Sequence, residues 1–587
     1  MERWVVLNKK ADFYEIGKRF HIDPVIARLV RNRDVIGDEN IQTYLYGDLS
    51  NLHAPQMLKD VDKAADILVQ KIRQQKRIRI ISDYDVDGVV SNYILYKGLE
   101  NCNGLVDYQI PDRIRDGYGI NENLIQKAWE DGIDTILTCD NGIAASSQIQ
   151  YGKKLGMTMI VTDHHDVPYE EKDGKKIYQI PPADAVVNPK QPDCRYPYPL
   201  LCGAVVALKL IMVLYDKFHK PKDLWQEFLE VAAIATVCDV VALTDENRIL
   251  VKEGLKRLNH TSNIGLSALI TAVGLDGKKI TAYHLGFVIG PCINASGRLR
   301  SARMALELLL CRNREKALEM ALTLKELNEE RKDMTMDGVK QAMEIVEQEG
   351  FQNDKVLTVY LPDCHESLAG IIAGRIREQY HKPVFVLTDS EEGSLKGSGR
   401  SIEAYSMFEE MSQCKDLMTK FGGHPMAAGL TIPKENLGAF HDRLNELATL
   451  TEEDFREKIV IDVPMPIQYV TEELVEELKL LEPFGTANPK PLFAQKNLSV
   501  LGAKILGARR NVLKLRIADE TGYEIDGIYF GNIEDFNEYL TSQFGKNEVE
   551  YMYQGRKNAI RMSFTYYPDV NEFRGMKTLQ MVIQNFQ

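Results

Sequence analysis

Between Lys71 and His165 the chain alternates short apolar runs with longer mixed ones, and this alternation restricts the fold more than any other feature. Arg77–Ser82, Leu105–Ile110, Ile133–Thr138 and Met157–Thr162 have strand length and β-rich composition. Val89–Leu99, Glu122–Asp131 and Ile143–Leu155 lie between them and read as helices. Such alternation folds as an α/β domain around a mostly parallel sheet, whose ligands bind beyond the carboxyl ends of the strands. Three of these strands run into polar residues suited to metal, and a parallel sheet brings all three ends to one edge.

The first end is the most heavily charged. In RIRIISDYDVDG, Arg77–Gly88, the carboxylates of Asp83, Asp85 and Asp87 alternate. An extended backbone would put all three on one face, where they repel unless something positive neutralises them. Hard divalent cations such as Mg²⁺ or Mn²⁺ suit oxygen donors of this kind, and Gly88 permits a tight turn straight after them. Alone, the pattern is more often a solvated acidic turn. The third strand runs into Asp140 and the fourth into Asp163, His164 and His165. Acids and histidines converging on one edge favour a polynuclear metal site. Asp239 interrupts the apolar run Ala235–Leu243, and a lone acid in such surroundings is costly unless paired or bound to metal.

The length of 587 residues allows three or four domains. No apolar run is long enough to span a membrane, and MERWVVLNKK lacks a signal-peptide core. Nine cysteines without a CxxC pair point to reduced thiols in a cytoplasm and away from zinc ligation. A net charge of −13 argues against non-specific coating of nucleic acid. It leaves room for a phosphate substrate held locally by metal and a few arginines.

Further along, Met1–Lys59 reads as short helices and turns, and residues 166–200 as a surface excursion. Leu201–Phe218 and Leu224–Val241 read as helices, and a charge-rich helical stretch runs to about Gly350. KGSGRS, Lys396–Ser401, reads as a turn able to offer backbone N–H groups and Arg400 to phosphate. Near the C-terminus, VLKLRI alternates, with Leu513, Leu515 and Ile517 on one face.

TDHH (Thr162–His165), with DYDVDG upstream and TCDNG between, resembles the DHH phosphoesterase superfamily. IPDRIRDGYGIN, ATVCDVVAL, PCINASGRL, CHESLAGIIAGRI, GGHPMAAG, EPFGTANPKPLF and YYPDVNEFRG resemble, in order, the motifs of its RecJ-type members, 5′→3′ exonucleases specific for single-stranded DNA. The resemblance implies a helical segment over 1–60, a parallel-sheet DHH domain over 61–300 and a helical connector over 301–350. A smaller α/β DHHA1 domain would follow over 351–450, and a β-barrel OB-fold that binds nucleic acid over 451–587. It implies that Asp83, Asp85, Asp87, Asp140, His164 and Asp239 hold two divalent cations, Mn²⁺ or Mg²⁺. The two ions of such centres lie roughly 3.5–4 Å apart, and His165 and His424 would stand close to them. Arg113, Arg298, Ser398 and Arg400 would hold the 5′-terminal phosphate, while Gly422 and Gly423 let the backbone at His424 approach substrate.

The expected function is hydrolysis of single-stranded DNA to mononucleotides in repair and recombination. A single-strand-binding protein or a helicase is a candidate partner, and a monomer is the expected state. Two rivals carry weight. A phosphoesterase for short RNA or cyclic dinucleotides would not need the C-terminal domain, and a catalytically inactive scaffold would not keep every acid. Two departures stand out: Ile81 replaces a histidine ligand found in smaller relatives, and Ser367 and Thr486–Ala487 stand where glycines are common.

Overall fold

The computed structural model describes residues 2–587 apart from Ile114, Arg115, Tyr118, Glu391, Glu392, Ala508 and Arg574, and the side chain of Phe573. Parts of IPDRIRDGYGIN and YYPDVNEFRG therefore lie outside the described residues. The chain divides into two compact units: residues 52–241 with 249–457, and residues 2–51 with 242–248 and 458–587. No described helix is long and apolar enough to cross a membrane.

Among the described residues the first unit contains two five-stranded sheets and a two-stranded hairpin. Its N-terminal sheet is entirely parallel, in the spatial order Leu105–Gln109, Arg77–Ser82, Thr135–Cys139, Thr158–Thr162, Ala185–Val187. The central strands are buried along nearly their whole length, as strands covered on both faces must be. The fifth strand lies within the stretch read as a surface excursion. Only three residues long, it is set among proline and charge, yet all three side chains are buried. The rest of that stretch includes an exposed hairpin, Tyr169–Lys172 with Lys175–Tyr178. Helices Val86–Asn101 and Gly203–Lys217 pack against each other, and Gly98 allows it: a Cβ there would lie 2.4 Å from Ile211.

Helix Arg314–Gln348 spans 35 residues, about 52 Å at 1.5 Å per residue. It packs against the helix ending at Leu299 and against Ala369–Tyr380 of the second sheet's layer. That sheet runs Lys420–His424, Ala427–Ile432, Leu395–Arg400, Val384–Asp389, Leu357–Tyr360, with only the last pair parallel. KGSGRS is thus a central strand and not a turn. Its glycines make room for neighbours across the pleat: a Cβ on Gly399 would meet Met407 Sδ at 2.3 Å and Phe385 at 2.8 Å.

In the second unit the strands Phe493–Leu506, Val512–Ala518, Glu524–Tyr529, Met576–Phe586 and Arg561–Phe573 pair in sequence, and pairing of the first with the last closes the ring. Leu513, Leu515 and Ile517 point into its core, as their alternation predicts. The N-terminal residues contribute a strand as well as helices: Arg3–Val6 pairs in parallel with Lys458–Ile461. Arg248 is buried here, its guanidinium donating to the carbonyls of Tyr44, Leu480 and Leu481. Among the aromatics of this unit, Tyr529 packs on Phe536 and Phe586, Tyr553 donates to Asn537, and Phe530 is exposed.

Candidate active site

The three polar strand ends meet. Donor atoms of Asp83, Asp85 and Asp140 lie within 4.8 Å of one another, as do those of Asp87, His164 and Asp239, and those of Asp140, His164 and His165. His164 is the hinge of the cluster: its Nε2 is 3.1 Å from Asp140 and 3.5 Å from Asp87, and its Nδ1 is 3.7 Å from Asp239. Asp239 reaches it from the end of helix Leu229–Cys238.

The local backbone differs from the extended run expected over the acids. The strand stops at Ser82, and the helix begins at Val86 with Asp85 as its N-cap, accepting from Gly88 N at 3.1 Å. Asp87 therefore sits in the first helical turn. Its carboxylate accepts from Gly203 N at 2.6 Å and Ala204 N at 2.8 Å, the opening turn of helix Gly203–Lys217. The unsatisfied N–H groups and positive end of that helix are thus aimed at Asp87. Gly88 allows close approach and not a turn, since a Cβ there would lie 2.3 Å from Asp83 O.

These acids are short of positive charge. Burial, then repulsion from Asp85, pushes the Asp83 carboxyl up to about 8. Burial, then repulsion from Asp87 and Asp85, pushes Asp239 up to about 9, and burial followed by repulsion from Asp87 raises Asp85 and Asp140. Burial keeps His164 below the usual imidazole range. Asp83 Oδ1, His164 Nδ1 and Asp239 Oδ2 are buried and make no hydrogen bond. Carboxylate oxygens and a neutral imidazole that lack protein partners are the donors that Mn²⁺ or Mg²⁺ accepts, so the residues present fit such ions.

Asp163, which the motif contains but the ligand pattern passes over, organises the histidines. It accepts from His165 Nδ1 at 2.7 Å and from the backbone N–H groups of His164 and Ile143. Burial disfavours charge on His165, but the bond to Asp163 outweighs it and lifts the imidazolium to about 9. Asn294 is a second residue missed, although it lies within PCINASGRL; its side chain accepts from Val86 N at 3.1 Å.

Beside the acids is a basic cavity in the same unit, lined by Tyr84, Arg113, Ser367, Lys396, Ser398 and Phe421 among others. Arg113 sits over the Tyr84 ring at 4.9 Å. Arg298, in the last turn of helix Gly290–Leu299, donates to Ser367 O at 2.7 Å. Burial, then repulsion from Arg113 and Arg331, pushes it down to about 10. Arg400 bonds Gly399 O and lies against Gly370, where a Cβ would be 2.8 Å from its Nη2. Gly422, Gly423 and His424 lie on the exposed strand Lys420–His424, and His424 is in none of the three donor sets. His424 does exert a pull on Asp166, which Lys190 already holds below the usual carboxylate range. Ile81 is fully buried and supplies no ligand.

Comparison with known proteins agrees with this geometry. Residues 77–236 match the DHH family N-terminal domain, 353–450 the DHHA1 domain and 461–585 the RecJ OB domain. The single-stranded-DNA-specific exonuclease RecJ of Bacillus subtilis is 34% identical over 99% of this chain and 70% of its own length. That of Escherichia coli is 32% identical over 96% of both. A crystal structure of RecJ in complex with Mn²⁺ from Thermus thermophilus superposes with a TM-score of 0.81 at 27% identity, covering all of this chain and 79% of that one. The chain belongs to the RecJ family of single-stranded-DNA-specific exonucleases.

Proposed function

We propose that the protein is a metal-dependent exonuclease that hydrolyses single-stranded DNA from its 5′ end to mononucleotides, in repair and recombination in the cytoplasm. One observation carries the reading. Two donor sets, Asp83–Asp85–Asp140 and Asp87–His164–Asp239, adjoin each other and a cavity lined by basic side chains. Those six residues would hold the ions, with His165 beside them. Once bound, two divalent cations supply a nucleophilic water at neutral pH and neutralise charge developing on the attacked phosphate.

The rest is the work of the chain. Asp163 fixes the orientation of His165 and keeps a proton on its Nδ1. Arg113, Arg298, Arg400 and Ser398 bind the terminal phosphate with donors that match its oxygens, which sets the distance from the 5′ end to the bond cut. Gly422 and Gly423 leave space around His424, whose imidazole adds a donor to the phosphate. The RecJ OB domain supplies the grip on the rest of the strand through base stacking and positive charge. Its presence favours long strands over cyclic dinucleotides and short RNA. The protein works as a monomer, and a single-strand-binding protein or a helicase provides its substrate. Asp140→Ala tests the centre: Mn²⁺-dependent nucleotide release from 5′-phosphorylated single strands should stop, and undiminished release would remove the proposal.

A further inference from the structure

Tyr283 and Phe287 stack on each other, 4.9 Å between ring centroids and 26° between planes, yet they are 64% and 66% exposed. They lie on the helical run from Ala282 to Leu299, which includes a π-helical stretch over Leu285–Ile289. Single π turns recur at functional sites. The reason for close packing here is visible. Gly286 lies against Val237, and a Cβ on Gly290 would be 2.2 Å from Cys238 Sγ, so this run packs directly on the turn that ends in Asp239.

The same run carries Asn294, bonded to Val86 N beside the acids, and Arg298 at the basic cavity. Read backward along the chain, the run meets Ser367 of the basic cavity at Arg298, then Val86 beside the acids at Asn294, and then carries the exposed pair of rings. We infer that Tyr283 and Phe287 are positioning residues on which bases of the single strand stack just downstream of the bond to be cut. The inference rests on the strand entering this centre 5′ end first, as proposed above. From Arg298 to Phe287 the helix rises about 16 Å, which spans about five nucleotides of a stacked strand at 3.4 Å each and fewer of an extended one.

The test uses the full chain and 5′-phosphorylated single strands in EDTA, so that binding is read without cleavage. An abasic site is moved inward one nucleotide at a time. The parent should lose affinity when the abasic site reaches about the second to fifth nucleotide. The Y283A/F287A variant should bind an intact strand at least fivefold more weakly, the lower end of what stacking of one base contributes, and should show no further loss with the abasic site in that window. Phe287→Trp should keep affinity and Phe287→Leu, which preserves apolar bulk, should not. Equal binding by parent and Y283A/F287A, or equal loss on intact and abasic strands, would overturn the inference. So would unchanged DNA binding with loss of concentration-dependent self-association, which would make the rings a contact between copies. Degradation of the strand by the parent with Mn²⁺ separates the two failures: without it the underlying reading falls, and with it only the rings do.

Discussion

Gly203 bears no functional group, yet alanine there should damage the centre severely. It opens helix Gly203–Lys217, and its N–H donates to Asp87 at 2.6 Å. A Cβ on it would lie 2.9 Å from Asp140 Cβ, 3.1 Å from Asp140 Cα and 3.0 Å from Asp87 Oδ2. Normal contacts between such atoms start near 3.4 Å, so the added methyl must displace both acids by several tenths of an ångström. Neither can yield easily. Asp140 is buried beneath His164, and Asp87 is tied to the helix it caps.

Overpacking of this kind costs about 1–3 kcal/mol, and misplacing reacting groups by about an ångström costs about a hundredfold in rate. Gly203→Ala should therefore lower stability by about 1–3 kcal/mol in urea titration, weaken Mn²⁺ binding by calorimetry and reduce nucleotide release about a hundredfold. Gly374→Ala is the control, because a Cβ at that helical position meets nothing within 4 Å. It should be neutral or slightly stabilising. A Gly203→Ala protein with the parent's Mn²⁺ affinity and rate would show that the acids do not need their observed positions, and the reasoning would fail.

Three other outcomes follow from the same structure. Asp163→Asn turns one of its acceptor oxygens into a donor amid N–H groups, so Mn²⁺ affinity should fall about 10–100-fold, the range for partners that orient a ligand; calorimetry on the variant checks it. Ala487 holds φ 59°, and Ala487→Gly should raise stability by up to about 1 kcal/mol, the left-handed strain relieved less the entropy of a freer unfolded chain. Burial pushes the Asp134 carboxyl up, but Lys71, 2.5 Å away, and Thr135 outweigh it and hold it below its ordinary 3.8. A depressed value stabilises above the ordinary one and ceases to as pH falls through the depressed one. Asp134→Asn should thus be less stable at neutral pH, with the gap closing below 3.8 in acid unfolding curves.

Periodicity carried the parallel sheet because its central strands are short runs of β-rich composition, and Arg77–Ser82 ends where its composition says. It failed where packing and not hydrophobic pattern decides. Ala185–Val187 is a strand because Thr158–Thr162 offers a free edge. Leu395–Arg400 is a strand because its glycines receive Phe385 and Met407. Arg3–Val6 pairs with a partner 455 positions away, a distance over which no local pattern speaks. The acids were legible as a group, since charge repulsion follows from composition alone. Their supports were not: Gly203 and Asn294 act through backbone N–H groups and empty space, which leave no mark in a sequence.

The charge distribution explains why acids and arginines can coexist here without cancelling. A protein that only needed stability would pair them, because an unpaired buried charge is costly. Instead burial, and then repulsion from Asp85 or Asp87, raises the proton affinity of Asp83, Asp85, Asp140 and Asp239, while Arg298 is pushed down by burial and by Arg113. Tyr84 stands between the two sets in sequence and in space: it is flanked by Asp83 and Asp85, and its ring lies under the Arg113 guanidinium. A ring face attracts a cation weakly, by about 0.5–2 kcal/mol, enough to park Arg113 but far less than a desolvated carboxylate would. Each set is thus left wanting a partner of opposite sign. In the function proposed above, divalent cations would answer the acids and a phosphate monoester the arginines, so a 5′-phosphorylated strand should bind the metal-loaded protein more tightly than one with a blocked end.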